Sequence, residues 1–371
     1  MGWCTRAIGC LVAASCVACA GPSTNIPGLT SDEVASERRK QQVLQIQHYF
    51  SQLARLHNVA YRLTSANRAD CKEDVAPTLG FSALAPNELP GKYKALAIEA
   101  LGLNEGTVSV VSVAEGGPAA KAGIASGDEL VSLDGEPLPS SNASEWIASF
   151  LKKSGEGQVR VELRRAGQSQ TRVVSTVTTC SVPILLMPDE QSNAFTDGRR
   201  IVIFSGILRV AQSDAELATV VGHELAHVTM GHLKKREQNK VAGAIGGAVV
   251  DIGLAMVGLN TGGAFTRGFS NVGALAYATD FEREADYVGT YYVARAGYEI
   301  STAERFWRAL AQENPKQIVY AGLHPTSPER FLLMQKTSEE IADKRRRRVP
   351  LTPELKPKES NPAVTAAENP N

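Results

Sequence analysis

The stretch VGHELAH, residues 221–227, contains the pattern H-E-x-x-H and decides how the rest of the chain is interpreted. Side chains four residues apart share one face of an α-helix, so His223 and His227 can bind the same metal ion if this segment is helical. Glu224 lies about 100° around such a helix from His223, within reach of a water molecule at that metal. The pattern therefore predicts a zinc site with Glu224 as its base.

The surrounding residues favour a helix through this stretch. Residues 213–216 have the spacing of a capping box, and apolar residues follow at helical intervals. The helix is predicted to continue past Gly231 to about Lys235. On a continuous helix His232 would point away from His223, because nine residues correspond to about 900° of rotation. His232 is therefore predicted to be structural and not a third ligand.

A catalytic zinc site needs three protein ligands and one open position. The run DFEREAD, residues 280–286, opens a second predicted helix on which Glu282 and Asp286 share a face. We expect Glu282 to bind the zinc ion and Asp286 to accept a hydrogen bond from the free N–H of a ligand histidine. Glu284 lies about 160° from both and is expected to face solvent. An exposed acidic stripe is the alternative, which only the upstream histidine pattern disfavours.

This combination of motifs resembles the gluzincin metallopeptidases, which include the HtpX heat-shock protease, the CaaX prenyl protease and BepA-like periplasmic proteases. The resemblance rests on H-E-[LI]-x-H followed by E-x-x-A-D, and it covers residues 193–333. Further matching segments are residues 193–195, residues 213–218, and His324-Pro325 followed by Arg330.

The resemblance implies one zinc ion per chain and a role for each matching residue. The implied zinc ligands are His223, His227 and Glu282, and the implied base is Glu224. Arg330 would lie near the oxyanion of the transition state. His324 would lie close to the metal, where it could occupy the open coordination position and hold the enzyme inactive until displaced.

A second set of patterns lies within residues 71–180. Residues 107–113 alternate like a half-buried strand, and the Asp-Gly pair at residues 134–135 marks a turn after another strand. Residues 116–128 resemble the G-x-P-A-x-x-A-G-[IL]-x-x-G-D signature of bacterial PDZ domains. This resemblance implies binding of extended peptide segments by strand addition, with residues 78–81 as the candidate carboxylate-binding loop. A purely structural spacer is the alternative.

The N-terminal residues have the features of a bacterial lipoprotein signal peptide. Arg6 precedes a short apolar run at residues 8–17, and small residues precede Cys16 and Cys19. Lipidation is expected at Cys19, with Cys16 and an ordinary signal-peptidase cleavage as alternatives. Neither cysteine is followed by aspartate, which resembles the sorting signal for the outer membrane. We therefore expect a periplasmic protein that is lipid-anchored to a membrane, predicted to be the outer one.

Cys71 and Cys180 are the two of the six cysteines that lie outside the signal region. An even pair in an oxidising compartment predicts a disulfide bond, and this pair brackets the PDZ-like block. Two buried free thiols are the alternative.

Three other segments have a recognisable character. Residues 31–66 lack Gly and Pro and predict a long amphipathic helix packed on the body of the protein. Residues 241–258 are apolar and rich in Gly and Ala, and residues 260–271 are predicted to be loop-like. Asp251 and several glycines make a membrane span less suitable here than a mobile lid or a membrane-facing amphipathic segment. The basic and Pro-rich sequence from Lys344 predicts a disordered tail.

These patterns predict an α+β fold, with a mostly helical zinc metalloprotease domain that has a small hairpin or sheet, and a β-rich PDZ domain. The expected domains are a signal peptide (1–19), a tether and long helix (20–70), a PDZ-like domain (71–180), a zinc metalloprotease domain (181–343) and a disordered tail (344–371).

The predicted function is a zinc-dependent endopeptidase of the bacterial cell envelope. Its expected partners are unfolded or misassembled envelope proteins as substrates, peptide segments at the PDZ domain, and the membrane through the lipid anchor. The 39 acidic and 39 basic side chains balance, so no nucleic-acid partner is expected. The alternative is a PDZ-bearing lipoprotein that acts as a chaperone or adaptor, with a zinc site kept latent by His324.

Overall fold

The computed structural model describes residues 23–256, 261–275, 278–313 and 328–356. The predicted signal peptide, with Cys16 and Cys19, lies outside these ranges. The chain divides into two compact units, Met1–Gln42 and Val43–Asn371. Both predicted domains belong to the second unit. Its helices and small sheets confirm the predicted α+β class.

Helix α1 (Ser31–Ala66) precedes both domains and contacts each of them through its C-terminal half. Leu56 and Leu63 are buried in the core of the helical domain. Nδ1 of His57 lies 2.7 Å from the hydroxyl oxygen of Ser112 in the PDZ-like sheet. Burial lowers the pKa of His57 to about 4, so this imidazole is neutral at pH 7. The prediction of a long helix packed on the body of the protein is confirmed.

The PDZ-like part contains a six-stranded antiparallel sheet in the order β2-β3-β4-β6-β7, with β5 paired to β4. Its strands are β2 (Phe81–Leu84), β3 (Val108–Val113), β4 (Glu129–Leu133), β5 (Glu136–Pro137), β6 (Gln158–Arg165) and β7 (Gln168–Ser175). The accompanying helices are α2 (Gly91–Leu101), α3 (Pro118–Lys121) and α4 (Ala143–Ser154). Asp134 and Gly135 both have positive φ, 49° and 84°, as a two-residue hairpin turn requires, and the predicted Asp-Gly turn is confirmed.

A disulfide bond between Cys71 and Cys180 joins the two ends of this block. Cys71 ends a short 3-10 helix (Arg68–Cys71), and Cys180 ends strand β8 (Val177–Cys180). Strand β8 pairs antiparallel with β1 (Val75–Thr78) beside the bond. Both cysteines are buried, and the predicted disulfide is present.

The helical domain follows β8. Its strands are β9 (Ile184–Met187), β10 (Ala194–Thr196) and β11 (Ile201–Phe204). Strand β11 pairs antiparallel with β10, which forms the small hairpin predicted for this domain, and parallel with β9. Its helices are α5 (Ser205–Val210), α6 (Asp214–Thr229), α7 (His232–Met256), α8 (Ala264–Leu275), α9 (Ala278–Arg295), α10 (Thr302–Glu313) and α11 (Pro328–Arg347).

Helices α7 and α8 pack together as a helical hairpin. In the sequence they lie between α6 and α9, the two helices that carry the metal-site motifs. A Cβ at Gly247 would lie 2.2 Å from the carbonyl oxygen of Phe265, so a glycine is needed where the helices meet. The loop-like prediction for residues 260–271 is wrong from Ala264 onward, because Asp251 accepts a hydrogen bond from the Thr266 N–H (2.8 Å) and thereby caps α8.

Helix α7 exposes apolar side chains at Val241, Ile245, Val249, Ile252 and Met256. No helix in the described ranges is both long and apolar enough to cross a membrane.

The end of α11 also differs from the sequence prediction. The helix continues through Lys344–Arg347, where the disordered tail was expected to begin. The Lys344 ammonium group donates hydrogen bonds to Thr352 and Glu354, and Arg345 donates to the carbonyl oxygen of Ala294. These contacts fix the last turn of α11, which carries the basic residues, to α9 and to the segment that follows α11. Residues 357–371 lie outside the described part of the chain.

Helices α6 and α9 touch along their backbones at two glycines. A Cβ at Gly222 would lie 3.0 Å from the carbonyl oxygen of Gly289. A Cβ at Gly289 would lie 2.9 Å from the backbone nitrogen of His223. Since the obstructing atoms belong to the backbone, a side chain at either position would push the helices apart.

Replacing Gly289 with alanine should lower the free energy of unfolding by about 2 kcal/mol, because the added methyl group overpacks the contact between α6 and α9. The matched control is Gly268→Ala in α8, where a Cβ meets no atom within 4 Å. The control should raise stability by about 0.8 kcal/mol through helix propensity alone. Urea denaturation measures both, and equal stabilisation of the two variants would contradict the close packing.

Candidate metal centre

Helix α6 carries the H-E-x-x-H pattern into the protein core. Its predicted capping box is present: the Glu216 N–H donates to the Ser213 hydroxyl (3.3 Å), and the Ser213 N–H donates to the Glu216 carboxylate (3.1 Å). His223, Glu224 and His227 are 2%, 1% and 6% exposed. Burial of all three polar side chains excludes a pair of ordinary surface histidines.

The two histidines of α6 meet Glu282 of α9. Nε2 of His223 and Nε2 of His227 are 3.1 Å apart, and each lies 3.4 Å from a carboxylate oxygen of Glu282. One ligand atom from each residue falls within 4.8 Å of the others. Ligands about 2.05 Å from a tetrahedral zinc ion are about 3.3 Å apart, so these donor atoms fit zinc in both chemistry and spacing.

Asp286 lies one turn after Glu282 and links the cluster to α11. Its Oδ1 is 2.9 Å from Nδ1 of His223, and the carboxylate accepts two hydrogen bonds from Arg330 (2.6 and 2.8 Å). Burial would raise the pKa of Asp286, but the charge of Arg330 and the hydrogen bonds hold it below its ordinary value. Burial would likewise lower the pKa of His223, but its hydrogen bonds to Asp286 and Glu282 raise that pKa to about 9.

Arg330 is 2% exposed and contributes the buried positive charge of the site. Besides Asp286, its Nη1 lies 3.7 Å from a carboxylate oxygen of Glu282, and its guanidinium carbon lies 5.0 Å from the centre of the Trp307 ring. The negative charges of Asp286, Glu282 and Glu224 raise the pKa of Arg330 in spite of its burial. Arg330, the residue predicted to lie near the oxyanion, is therefore located beside the cluster. Its ion pairs among the described residues are with the carboxylates of Asp286 and Glu282.

The predicted continuation of helix α6 past Gly231 is wrong, and so is the direction calculated for His232 from it. Helix α6 ends at Thr229, and Gly231 has a φ of 65°, so the chain changes direction before α7 begins at His232. Nδ1 of His232 lies 2.9 Å from Nδ1 of His227, and Nε2 of His232 lies 2.7 Å from a carboxylate oxygen of Glu284. A glycine just after a predicted helix is the usual signal for a left-handed end, and it was present in the sequence.

His324, the predicted occupant of the open coordination position, lies outside the described residues. Its role stays a prediction.

The fold and the cluster define a chain that combines an H-E-x-x-H metallopeptidase domain with a PDZ domain. Residues 162–338 match peptidase family M48, and residues 109–165 match the PDZ domain family. The chain therefore carries an M48 peptidase domain and a PDZ domain, which confirms both resemblances seen in the sequence. Family M48 implies a metal ion, and the His-His-Glu group supplies suitable ligands.

Two groups of curated proteins are similar to this chain. A putative β-barrel assembly-enhancing protease of Vibrio cholerae is 31% identical over 152 residues, 38% of this chain and 31% of that protein. The mitochondrial metalloendopeptidase OMA1 of Schizosaccharomyces pombe is 28% identical over 162 residues, 42% of this chain and 47% of that protein. The chain therefore spans less than half of the length of either relative.

Among solved structures, the HtrA3 PDZ domain bound to a phage-derived ligand aligns with 28% of this chain and 88% of its own, at 20% identity and a TM-score of 0.22. The PDZ assignment rests on the family match and on the signature residues.

Replacing Arg330 with methionine should lower the free energy of unfolding by about 4 kcal/mol, because Asp286 would lose its buried counter-charge. The matched control is Arg346→Met, since the Arg346 side chain is 72% exposed in its ion pair with Asp343. The control should change stability by less than about 1 kcal/mol. Chemical denaturation of the two variants measures the difference, and equal stabilities would contradict a buried ion pair.

Proposed function

We propose that this chain is a zinc-dependent endopeptidase of the bacterial cell envelope that cleaves misfolded or misassembled envelope proteins. The observation that carries the proposal is the buried cluster of His223, His227 and Glu282, with Glu224 buried on the same helix. The M48 match and the protease names of the curated relatives support it.

The proposed ligands are His223, His227 and Glu282. A bound zinc ion would supply Lewis acidity towards the scissile carbonyl group and would lower the pKa of an attacking water molecule. Glu224 would take the proton from that water and deliver it to the leaving amine. The Asp286 carboxylate would accept a hydrogen bond from Nδ1–H of His223, which leaves the Nε2 lone pair available to the metal.

Arg330 supplies the positive charge for the proposed oxyanion role. Its guanidinium group is buried beside Glu282 and is held by two hydrogen bonds to Asp286. A cation fixed in a site with little water stabilises negative charge that develops on a substrate carbonyl oxygen.

Strand β10 is the proposed binding strand for the substrate backbone. It lies against α6 and, among the described strands, pairs only with β11, so its other edge is an edge of the sheet. An extended peptide can add to such an edge through main-chain hydrogen bonds, as strand-adding ligands do.

The PDZ domain is proposed to bind peptide segments of the same substrates at strand β2. In the described sheet β2 is an edge strand, and the Ser144 hydroxyl at the start of α4 donates to the Ala83 carbonyl oxygen (3.0 Å). In the predicted carboxylate-binding loop, Gly80 has a φ of 72°, and a Cβ added there would lie 2.9 Å from Cδ of Pro118, so the loop conformation requires a glycine at this position. The groove between β2 and α4 is thus the expected peptide site.

The proposed location is the periplasm, with a lipid on Cys19 or Cys16 anchoring the chain to the outer membrane. The supporting features are the signal-like N-terminal sequence and the Cys71–Cys180 disulfide, since such bonds persist in oxidising compartments.

Replacing Glu224 with glutamine should reduce cleavage of unfolded casein by about 10³-fold, because the amide cannot accept the proton of the attacking water. Zinc content should stay at one ion per chain, since the ligand atoms are unchanged. The matched control is Glu237→Gln, whose side chain is 65% exposed on α7. Removal of zinc with a chelator should abolish cleavage by the control protein, and zinc should restore it. Wild-type cleavage by Glu224→Gln would contradict the proposed function.

A further inference from the structure

The structure assigns a role to His232 and Glu284 that rests on the proposed function. We propose that these two residues form a hydrogen-bonded relay that fixes the orientation and the tautomer of His227. They are positioning residues for the metal centre, and they act through His227 without touching substrate.

The relay runs through three side chains in line. Nδ1 of His232 is 2.9 Å from Nδ1 of His227, and Nε2 of His232 is 2.7 Å from a carboxylate oxygen of Glu284. Both distances are those of ordinary hydrogen bonds. The two imidazole rings are nearly perpendicular, at 83° and a centroid separation of 4.8 Å.

The position of the middle imidazole is set by packing. His232 is 0% exposed, and its ring stacks on the ring of Phe281 at a centroid distance of 4.8 Å and an angle of 20°. Phe281 precedes Glu282 directly in α9, so the ring that supports His232 is attached to the helix that supplies the third ligand. Because the His232 ring is buried and stacked, its two nitrogen atoms point in fixed directions, Nδ1 towards His227 and Nε2 towards Glu284.

The protons of the relay have one consistent assignment. If Nε2 of His227 binds a metal, the neutral ring carries its proton on Nδ1 and donates it to Nδ1 of His232. His232 must then carry its own proton on Nε2, where the Glu284 carboxylate accepts it. The reverse assignment would place a proton on Nε2 of His227, between the other two ligand atoms, and would block metal binding.

The two ligand histidines therefore have different outer partners. His223 donates directly to Asp286, a buried carboxylate paired with Arg330. Nδ1 of His227 is linked to a carboxylate through His232, and the Glu284 side chain at the end of this link is 37% exposed and lies 3.7 Å from Nζ of Lys235. A more distant, solvated and partly neutralised carboxylate polarises its histidine less, so the relay's main effect on His227 is orientation.

Two substitutions separate this role from simple core packing. His232→Asn keeps an acceptor oxygen close to the position of Nδ1, whereas His232→Leu fills the space without any acceptor. The control for a histidine-to-leucine change elsewhere is His48→Leu, because His48 is exposed on α1.

Zinc affinity, measured by competition with a chromophoric chelator, should fall 10- to 100-fold in His232→Leu, the range expected when a ligand loses its outer hydrogen bond. His232→Asn should stay within about threefold of the wild type, and His48→Leu should match it. With only six histidines in the chain, ¹⁵N-histidine NMR of zinc-free protein should show the Nδ1–H tautomer of His227 in the wild type and its loss in His232→Leu.

Equal zinc affinity in His232→Leu and the wild type would overturn the relay. Equal losses of affinity in the Leu and Asn variants, together with equal losses of zinc-free stability, would also overturn it and leave a packing role only. Both outcomes leave the proposed function intact, whereas absence of zinc from the wild-type protein would defeat the proposed function itself.

Discussion

The close approach of helices α6 and α9 at Gly222 and Gly289 is the constraint on which the metal centre depends. The Cβ that any other residue would add lies 2.9 to 3.0 Å from backbone atoms of the facing helix. Because the helices touch there, the histidines of α6 come within 3.4 Å of the Glu282 carboxylate. The distances that suit a zinc ion therefore follow from backbone contact and not from flexible side chains reaching across a gap.

This packing buries charged groups, which is unfavourable unless each is paired. Asp286 meets that requirement by bridging His223 of α6 and Arg330 of α11, so three helices contribute to one charge network. Removal of one partner weakens the compensation of the buried charges that remain, which makes the network costly to alter and keeps the ligands in fixed orientations. Rigid ligands are what a catalytic metal site needs, since a tetrahedral ion tolerates only small errors in position.

Local rules of sequence predicted much of this centre. The spacing of four residues identified the faces of both metal-site helices, and the same rule placed Glu282 and Asp286 correctly relative to each other. It failed at His232, because Gly231 ends the helix and redirects the chain, so the rotation calculated for a continuous helix did not apply. The pairing of Arg330 with Asp286 spans 44 residues and leaves no local pattern. The last turn of α11 is held in part by the contact of Arg345 with Ala294, which spans 51 residues. Helical periodicity was thus sufficient to predict which residues share a face of one helix. It could not predict contacts between residues that are far apart in the sequence.

The central claim is that His223, His227 and Glu282 hold one zinc ion. Crystals of the full chain grown with equimolar zinc and measured on both sides of the zinc absorption edge would test it most directly. The account predicts one anomalous peak per chain, about 2.1 Å from Nε2 of each histidine and from a carboxylate oxygen of Glu282. A peak on other residues, or no peak at these three side chains, would contradict it.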